Sequence, residues 1–328
     1  MEAQIKALLQ KHHALLVSHF YQKDEIVDLA DFSGDSLELA KKATQDSRDL
    51  VIFCGVGFMG ESVKILAPHK RVLMPKIACC SMARMISSDY YDRSLQLLQD
   101  YGIRDVLPVT YINSSAEVKA KVGAMGGLVC TSSNAKKIFE IALKEEKKIF
   151  FLPDRCLGEN LSNLYGLRCG VLGVDSKEKV LDAQVVCYNG FCSVHQLFTP
   201  EDVDFFRENY EDIAIIVHPE CKPEVVQKAD FVGSTSQIIS YVNSLPKEKT
   251  IAVGTEYNLV SRLRKGSKNT FVLSSTIPEC PTMNETSLGD IYKLLSAYDQ
   301  NRIFNEILLE EHVRKDAALA LRRMLEVC

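Results

Sequence analysis

Cys192 and His195 stand three positions apart on a glycine-bearing loop within VVCYNGFCSVHQLFT, residues Val185–Thr199. The loop follows an apolar run and leads into Thr199-Pro200-Glu201-Asp202, which reads as a helix start: Thr199 at the N-cap, Pro200 at N1 and an acid at N3. A strand, a loop with a thiol and then a helix hold a reactive group at the carboxyl end of a sheet. Cys80 in IACCSMARM and Cys280 in TIPECPTM occupy the same kind of place after apolar runs. Further polar residues end other apolar runs: His19 and Tyr21 in ALLVSHFYQ, Tyr111 and Asn113 in VLPVTYIN, His218 and Glu220 in IAIIVHPE.

These residues recur because the elements carrying them recur. Each third of the chain reads as an apolar run with a polar end, then a capped helix, then a second run with a glycine or Gly-Glu turn, then a cysteine. The caps are Ser36 or Asp35, the region of Ser132 and Ser133, and Ser234 or Thr235. From His19 to Cys80 is 61 positions, from His218 to Cys280 62, and from Tyr111 to Cys192 81. The middle unit is longer by about twenty positions, placing an insertion near Leu167–Asp182. Val/Ile/Leu/Phe runs alternating with helical stretches predict parallel sheets covered on both faces. The expected fold is α/β: three pseudo-symmetric α/β/α units of small parallel sheets, facing one another around a central site. Their spans are 1–100 with Cys80, 101–199 with Cys192 and the insertion, and 200–328 with Cys280 and a closing helix over Ile307–Glu326.

Equivalent positions on pseudo-symmetric units converge, so the three cysteines are expected at one pocket. The chain has no Cys-x-x-Cys pair of the kind a zinc ribbon or bacterial ferredoxin uses. Three thiolates without a fourth protein ligand suit a cubane iron–sulfur cluster with one open iron, a Lewis acid toward a hydroxyl or carboxylate. The plainer alternative is three packing cysteines, since a free thiol is a good small core residue. His19, His195 and His218 suit carboxylate binding or proton transfer, or are satisfied structural histidines. Glu220 is a candidate general base or acid, or a solvated loop carboxylate. Tyr21, Tyr111 and Asn113 are neutral hydrogen-bonding groups. Ser36, Ser132 and Thr235 put hydroxyls at helix starts, where anions bind and where simple capping is the commoner job.

Bulk properties narrow the field. A length of 328 residues allows two or three domains, and 46% hydrophobic residues indicate a globular chain. A net charge of −4 gives no pull toward nucleic acid or an anionic membrane. The first residues, MEAQIKALLQKHHALL, are too polar for an export signal, and no apolar run approaches a membrane span, so the expected compartment is the cytoplasm. Eleven cysteines in such a chain are not a disulfide framework. Cys54, Cys130 and Cys187 end apolar runs and read as core. Cys156, Cys169 and Cys221, in polar surroundings, and the terminal Cys328 receive no role. No P-loop, complete dinucleotide turn or nucleophile elbow is present.

Ten segments in unbroken order, within a match that runs from about His19 to Met283, resemble the quinolinate synthase family of bacterial NAD biosynthesis. They are HFYQ, DFSGDSLELA, FCGVGFMGES, YINSSAEVKA, VCTSSNA, FLPDRCLG, FCSVHQLFTPED, HPEC, FVGSTS and VGTE. The resemblance implies a transferase-type condensation of iminoaspartate with dihydroxyacetone phosphate to quinolinate, phosphate and water. It implies a 4Fe–4S cluster on Cys80, Cys192 and Cys280, in a triangle of three α/β domains. Register favours Cys80 over Cys79, which stands where the family usually has glycine. Substrate contacts carry over to His19, Ser36, Tyr111, Asn113, Ser132, His218, Glu220 and Thr235, and Tyr21 matches a tyrosine that assists proton transfer. The implied functional link is to an aspartate oxidase or dehydrogenase that makes iminoaspartate. Rival readings are a cluster-dependent hydro-lyase on a small hydroxy acid and a non-enzymatic iron–sulfur carrier or sensor.

Overall fold

A computed structural model describes residues 1–266 and 269–327, so Cys328 lies outside the described residues. Three parallel sheets run along the chain. The first holds β1 (Ala14–His19), β2 (Phe32–Gly34), β3 (Leu50–Cys54) and β4 (Arg71–Leu73) in the order β2-β1-β3-β4. The second holds β5 (Val106–Tyr111), β6 (Leu128–Cys130), β7 (Lys148–Leu152), β8 (Cys169–Val171) and β9 (Val185–Cys187) in the order β6-β5-β7-β9-β8. The third holds β10 (Ala214–Val217), β11 (Phe231–Val232), β12 (Ile251–Gly254) and β13 (Thr270–Val272) in the order β11-β10-β12-β13. Every strand pairing between neighbours in these sheets is parallel.

The three orders are one topology. Each first strand lies between the second and third, so the chain reverses direction across the sheet there, and its carboxyl end opens onto a crevice. In the second sheet β9 takes the place of the fourth strand. Residues 167–182 supply the extra edge strand β8 and the helix Lys177–Asp182. β1, β3, β5, β10 and β12 are buried along their whole length, which explains their unbroken apolar sequences.

The packing between units is unequal. Val17 and Phe53 of the first sheet and Val109 and Phe151 of the second share one continuous apolar core. The third sheet has its own clusters, around Ile215 and Val217 on one face and Ile216 and Val253 on the other. Hydrogen bonds cross its seam: Asn160 Nδ2 donates to the carbonyls of Pro219 (2.9 Å) and Cys221 (2.8 Å), and Arg262 donates to the carbonyl of Gln22 (3.0 Å).

The last segment returns to the first and second sheets. Helix Leu288–Asp299 packs Ile291, Leu294 and Leu295 against Ile5, Leu16 and Ile52. The expected closing helix begins later than Ile307, at Glu311, because Asn305 to Ile307 pair with the edge strand β4 instead: Ile307 N donates to Val72 O and Met74 N to Asn305 O. Helix Glu311–Glu326 then lies across helix Ala116–Ala124, where a Cβ on Gly123 would collide with the carbonyl oxygen of Asp316. Among the described residues no helix is long and apolar enough to cross a membrane.

Cys54, Cys130 and Cys187 are core residues. Cys156 and Cys221 are buried as well, despite polar sequence neighbours. Cys156 lies on the inner face of helix Arg155–Leu164, and the Cys221 thiol points to the carbonyl of Gly254 at 3.7 Å.

Candidate active site

The pseudo-symmetry extends to single hydrogen bonds. After the third strand of each unit a helix begins, and its first backbone N–H is spent on the loop that carries the cysteine. Gly57 N donates to Ala78 O (2.8 Å), Arg155 N to Gly190 O (2.8 Å) and Tyr257 N to Pro278 O (3.0 Å). Each acceptor is two residues before Cys80, Cys192 or Cys280. Each cysteine carbonyl is then accepted into a helical turn: Arg84 N, Gln196 N and Asn284 N donate to Cys80 O, Cys192 O and Cys280 O, all at 3.1 Å. Seven residues after each cysteine stands a helix N-cap, Ser87, Thr199 or Ser287. Thr199 and Ser287 close full capping boxes with Asp202 and Asp290. That sevenfold spacing was readable in the sequence, and it sets Cys80, not Cys79, in register with the other two. Cys79 is exposed, whereas Cys80 lines the cavity.

The cavity holds about 610 Å³ of atom-free space, part of it open to solvent. Each unit gives it the same kinds of group. The first contributes His19, Tyr21, Ser36 and Cys80; the second Tyr111, Asn113, Ser132 and Cys192; the third His218, Glu220, Thr235 and Cys280. Every site residue singled out from sequence therefore lines one cavity. Val56, Phe58 and Met59 form an apolar wall.

The hydroxyl positions needed the structure. The caps of the first and third helices are Asp35 and Ser234, so Ser36 and Thr235 are first helical residues, not caps. The middle helix, Ala135–Leu143, starts at Asn134 with no side-chain cap bond, and Ser132 faces the cavity from the turn before it.

A hydrogen-bonded chain crosses the cavity wall. The Tyr111 hydroxyl donates to Glu220 Oε1 at 2.5 Å, and His195 Nδ1 donates to Glu220 Oε2 at 3.0 Å. His195 Nε2 then accepts from the Thr255 hydroxyl at 3.3 Å. Thr255 Oγ1 in turn accepts from the Tyr21 hydroxyl at 2.9 Å, and Tyr21 also meets Thr235 at 3.0 Å. His195, a candidate in the sequence for carboxylate binding or proton transfer, stands between Glu220 and Thr255. Thr255 sits in the Gly-Thr-Glu turn after β12 and carried no signal of its own.

Burial sets the ionisation. It pushes His19 down to about 4 and His218 to about 3, so both are neutral imidazoles. It raises Tyr21 and Tyr111 well above the usual phenol value. Burial also opposes ionisation of Glu220, but the Coulombic pull of His218 and His195, exerted when these rings hold a second proton, and the hydrogen bonds from His195 and Tyr111 outweigh it and hold the carboxyl low, at about 2. Burial pushes the Cys80 thiol up to about 12 and raises Cys192 and Cys280, and the three repel one another as thiolates.

Two donor sets for a metal stand at the cavity. Cys192, His195 and Glu220 offer ligand atoms within 4.8 Å of one another. His195 and Glu220 are already bonded to each other there, and Glu220 also to Tyr111. The free thiols of Cys80, Cys192 and Cys280 are soft donors, and Cys280 Sγ meets the Thr282 hydroxyl at 3.5 Å.

The model of the family described as Quinolinate synthetase A protein matches residues 3–326. The chain belongs to this family. It is 58% identical to the quinolinate synthase of Helicobacter pylori (strain HPAG1) over 329 residues, covering 100% of this chain and 98% of that protein. It is 39% identical to that of Geobacillus sp. (strain WCH70), over 99% of this chain and 93% of the relative. Against that of Corynebacterium glutamicum (strain ATCC 13032) the identity is 38%, over 95% and 83%. In this member of the quinolinate synthetase A family, every residue that lines the cavity lies within the matched span.

Proposed function

We propose that the protein is a quinolinate synthase that condenses iminoaspartate with dihydroxyacetone phosphate to quinolinate, phosphate and water in NAD biosynthesis. The observation that carries the reading is the delivery, by each of three units, of strand-end polar residues, a hydroxyl and a thiol to one cavity. Cys80, Cys192 and Cys280 would hold a 4Fe–4S cluster. Three partly buried thiols that repel one another as thiolates fit a cationic iron centre, since bound metal is what draws such thiols to the deprotonated state. When bound, the cluster supplies Lewis acidity toward a substrate hydroxyl or carboxylate at the iron without a protein ligand.

The chain's own residues do the rest. Ser36, Ser132 and Thr235 offer hydroxyls to phosphate and carboxylate oxygens, and Ser36 and Thr235 stand at the first positions of their helices, where the helix dipole favours an anion. Asn113 and the neutral imidazoles of His19 and His218 orient the dicarboxylate. Tyr21, kept protonated, can give a proton to an oxygen of the sugar phosphate. Glu220, kept ionised, can take one from the carbon that loses it during isomerisation and ring closure. Thr255 and His195 join the two, and with His195 in its other tautomer, accepting on Nδ1 and donating from Nε2, a proton gained at Glu220 can return to Tyr21 without crossing solvent. Val56, Phe58 and Met59 shield an imine that water would hydrolyse. An aspartate oxidase or dehydrogenase would supply that imine.

The test is anaerobic purification with iron, sulfide, quinolinate and released phosphate measured together. Cys192→Ser should lose both the brown visible absorbance and turnover; an unchanged chromophore would remove Cys192 from the ligand set. Dehydration of a hydroxy acid without phosphate release would sink the condensation reading.

A further inference from the structure

Asp35 lines the cavity beside Ser36 and takes no part in the chemistry proposed so far, yet all three units meet on it. It is only 6% exposed. Its Oδ1 accepts the backbone N–H groups of Leu37 (3.1 Å) and Glu38 (3.0 Å), capping helix Ser36–Gln45 of the first unit. Its Oδ2 accepts the Ser133 hydroxyl at 2.6 Å from the second unit and the Ser236 hydroxyl at 2.8 Å from the third. Ser133 also lies 3.0 Å from the Ser234 hydroxyl, the cap of helix Thr235–Ser244.

Each residue in this junction is the chain neighbour of a hydroxyl that faces the cavity. Asp35 adjoins Ser36, Ser133 adjoins Ser132, and Ser234 and Ser236 flank Thr235. One peptide link joins the members of each pair, so a shift in the junction is passed directly to the cavity hydroxyl. The third sheet and helix Thr235–Ser244 have apolar clusters of their own, apart from the core shared by the first two sheets. A carboxylate suits the junction as built: four donors converge on its two oxygens, and an asparagine would offer them only one oxygen.

We propose that Asp35, with Ser133, Ser234 and Ser236, is an inter-unit clasp that sets the spacing of Ser36, Ser132 and Thr235 to fit an anionic substrate group. Asp35 is thereby a positioning residue. The inference rests on the reading of those three hydroxyls as binders of the phosphate or a carboxylate.

The experiment is steady-state kinetics of the cluster-loaded enzyme with dihydroxyacetone phosphate varied. Asp35→Asn and Ser133→Ala should each raise KM on the order of tenfold while kcat stays within about threefold, the pattern of lost positioning in binding. Ser133→Thr, which keeps the hydroxyl, should restore KM. Asp35→Asn combined with Ser133→Ala should cost less than the two effects multiplied, because both break one junction. Should Asp35→Asn fold poorly, Ser133→Ala and Ser236→Ala, each removing one hydroxyl, carry the same expectation. Variants that melt at lower temperature but keep the wild-type KM would overturn the clasp and leave an ordinary interface. A wild-type enzyme that makes no quinolinate overturns the function reading instead, and the clasp's purpose with it.

Discussion

After β1, His19 accepts the backbone N–H of Tyr21 on Nδ1 at 3.1 Å; after β10, His218 accepts that of Glu220 on Nδ1 at 3.4 Å. The next residue donates back in both units, Gln22 N to His19 O and Cys221 N to His218 O, each at 3.0 Å. With Nδ1 an acceptor, the proton of each neutral imidazole sits on Nε2, so one duplicated turn makes two fixed N–H donors. The units part company at the second residue after histidine. In the first it is a phenol resting between two threonine hydroxyls, in the third a carboxylate taking hydrogen bonds from Tyr111 and His195. Burial keeps the phenol protonated, and specific donors keep the carboxylate ionised against burial. Environments that drive two titrating groups apart are how one site holds an acid and a base together. Here a repeated scaffold and a single change of residue type suffice.

The largest expected effect falls on the carboxylate side. Glu220→Gln should lower kcat by about 10² to 10⁴-fold with iron and sulfide unchanged. Near-normal turnover would erase the distinction between the two turns. Tyr21→Phe should cost about 10²-fold, since the threonine hydroxyls and bound water can replace part of the proton path. A loss equal to that of Glu220→Gln would show the two acting as one unit.

The histidines give a prediction about stability. Their folded values lie below the ordinary 6.5, so below that pH the unfolded chain binds more protons and stability falls. The loss begins near pH 6.5 and continues down to about 4 for His19 and about 3 for His218. By pH 5 it should reach about 2 kcal/mol for each. Urea midpoints at pH 7, 6 and 5 measure it. His19→Asn and His218→Asn should each remove about half of the slope, and a slope unchanged in either variant breaks the equivalence of the turns. The smallest effect concerns the caps. Ser287→Ala should cost about 1 kcal/mol in thermal or urea unfolding, and Ser87→Ala, whose cap lacks the reciprocal acid, somewhat less.

Periodicity fixed the strands and helices because both faces of each parallel sheet are covered, so the apolar runs are long and unbroken. The polar ends of those runs and the three cysteines were legible for the same reason: an interrupted repeat marks where backbone leaves the core. The order of elements could not say which member of an adjacent pair looks inward. Ser36 and Asp35, Ser132 and Ser133, and Thr235 and Ser234 differ by one position, and a helix start turns successive side chains about 100° apart. The role of Thr255 and the partners of His195 were hidden, because those partners, Glu220 and Thr255, are 25 and 60 residues away. The return of the last helices to the first two sheets was equally hidden, since an amphipathic face does not name what it covers.

The amino-acid order alone thus determined three like units, each with a thiol, a hydroxyl and strand-end polar groups, because these follow from local periodicity and spacing. Which of those groups touch, which stay protonated, and that Asp35 ties the units together were decided only by the tertiary structure. Distance and burial between units are properties of the closed fold, and no single repeat contains them.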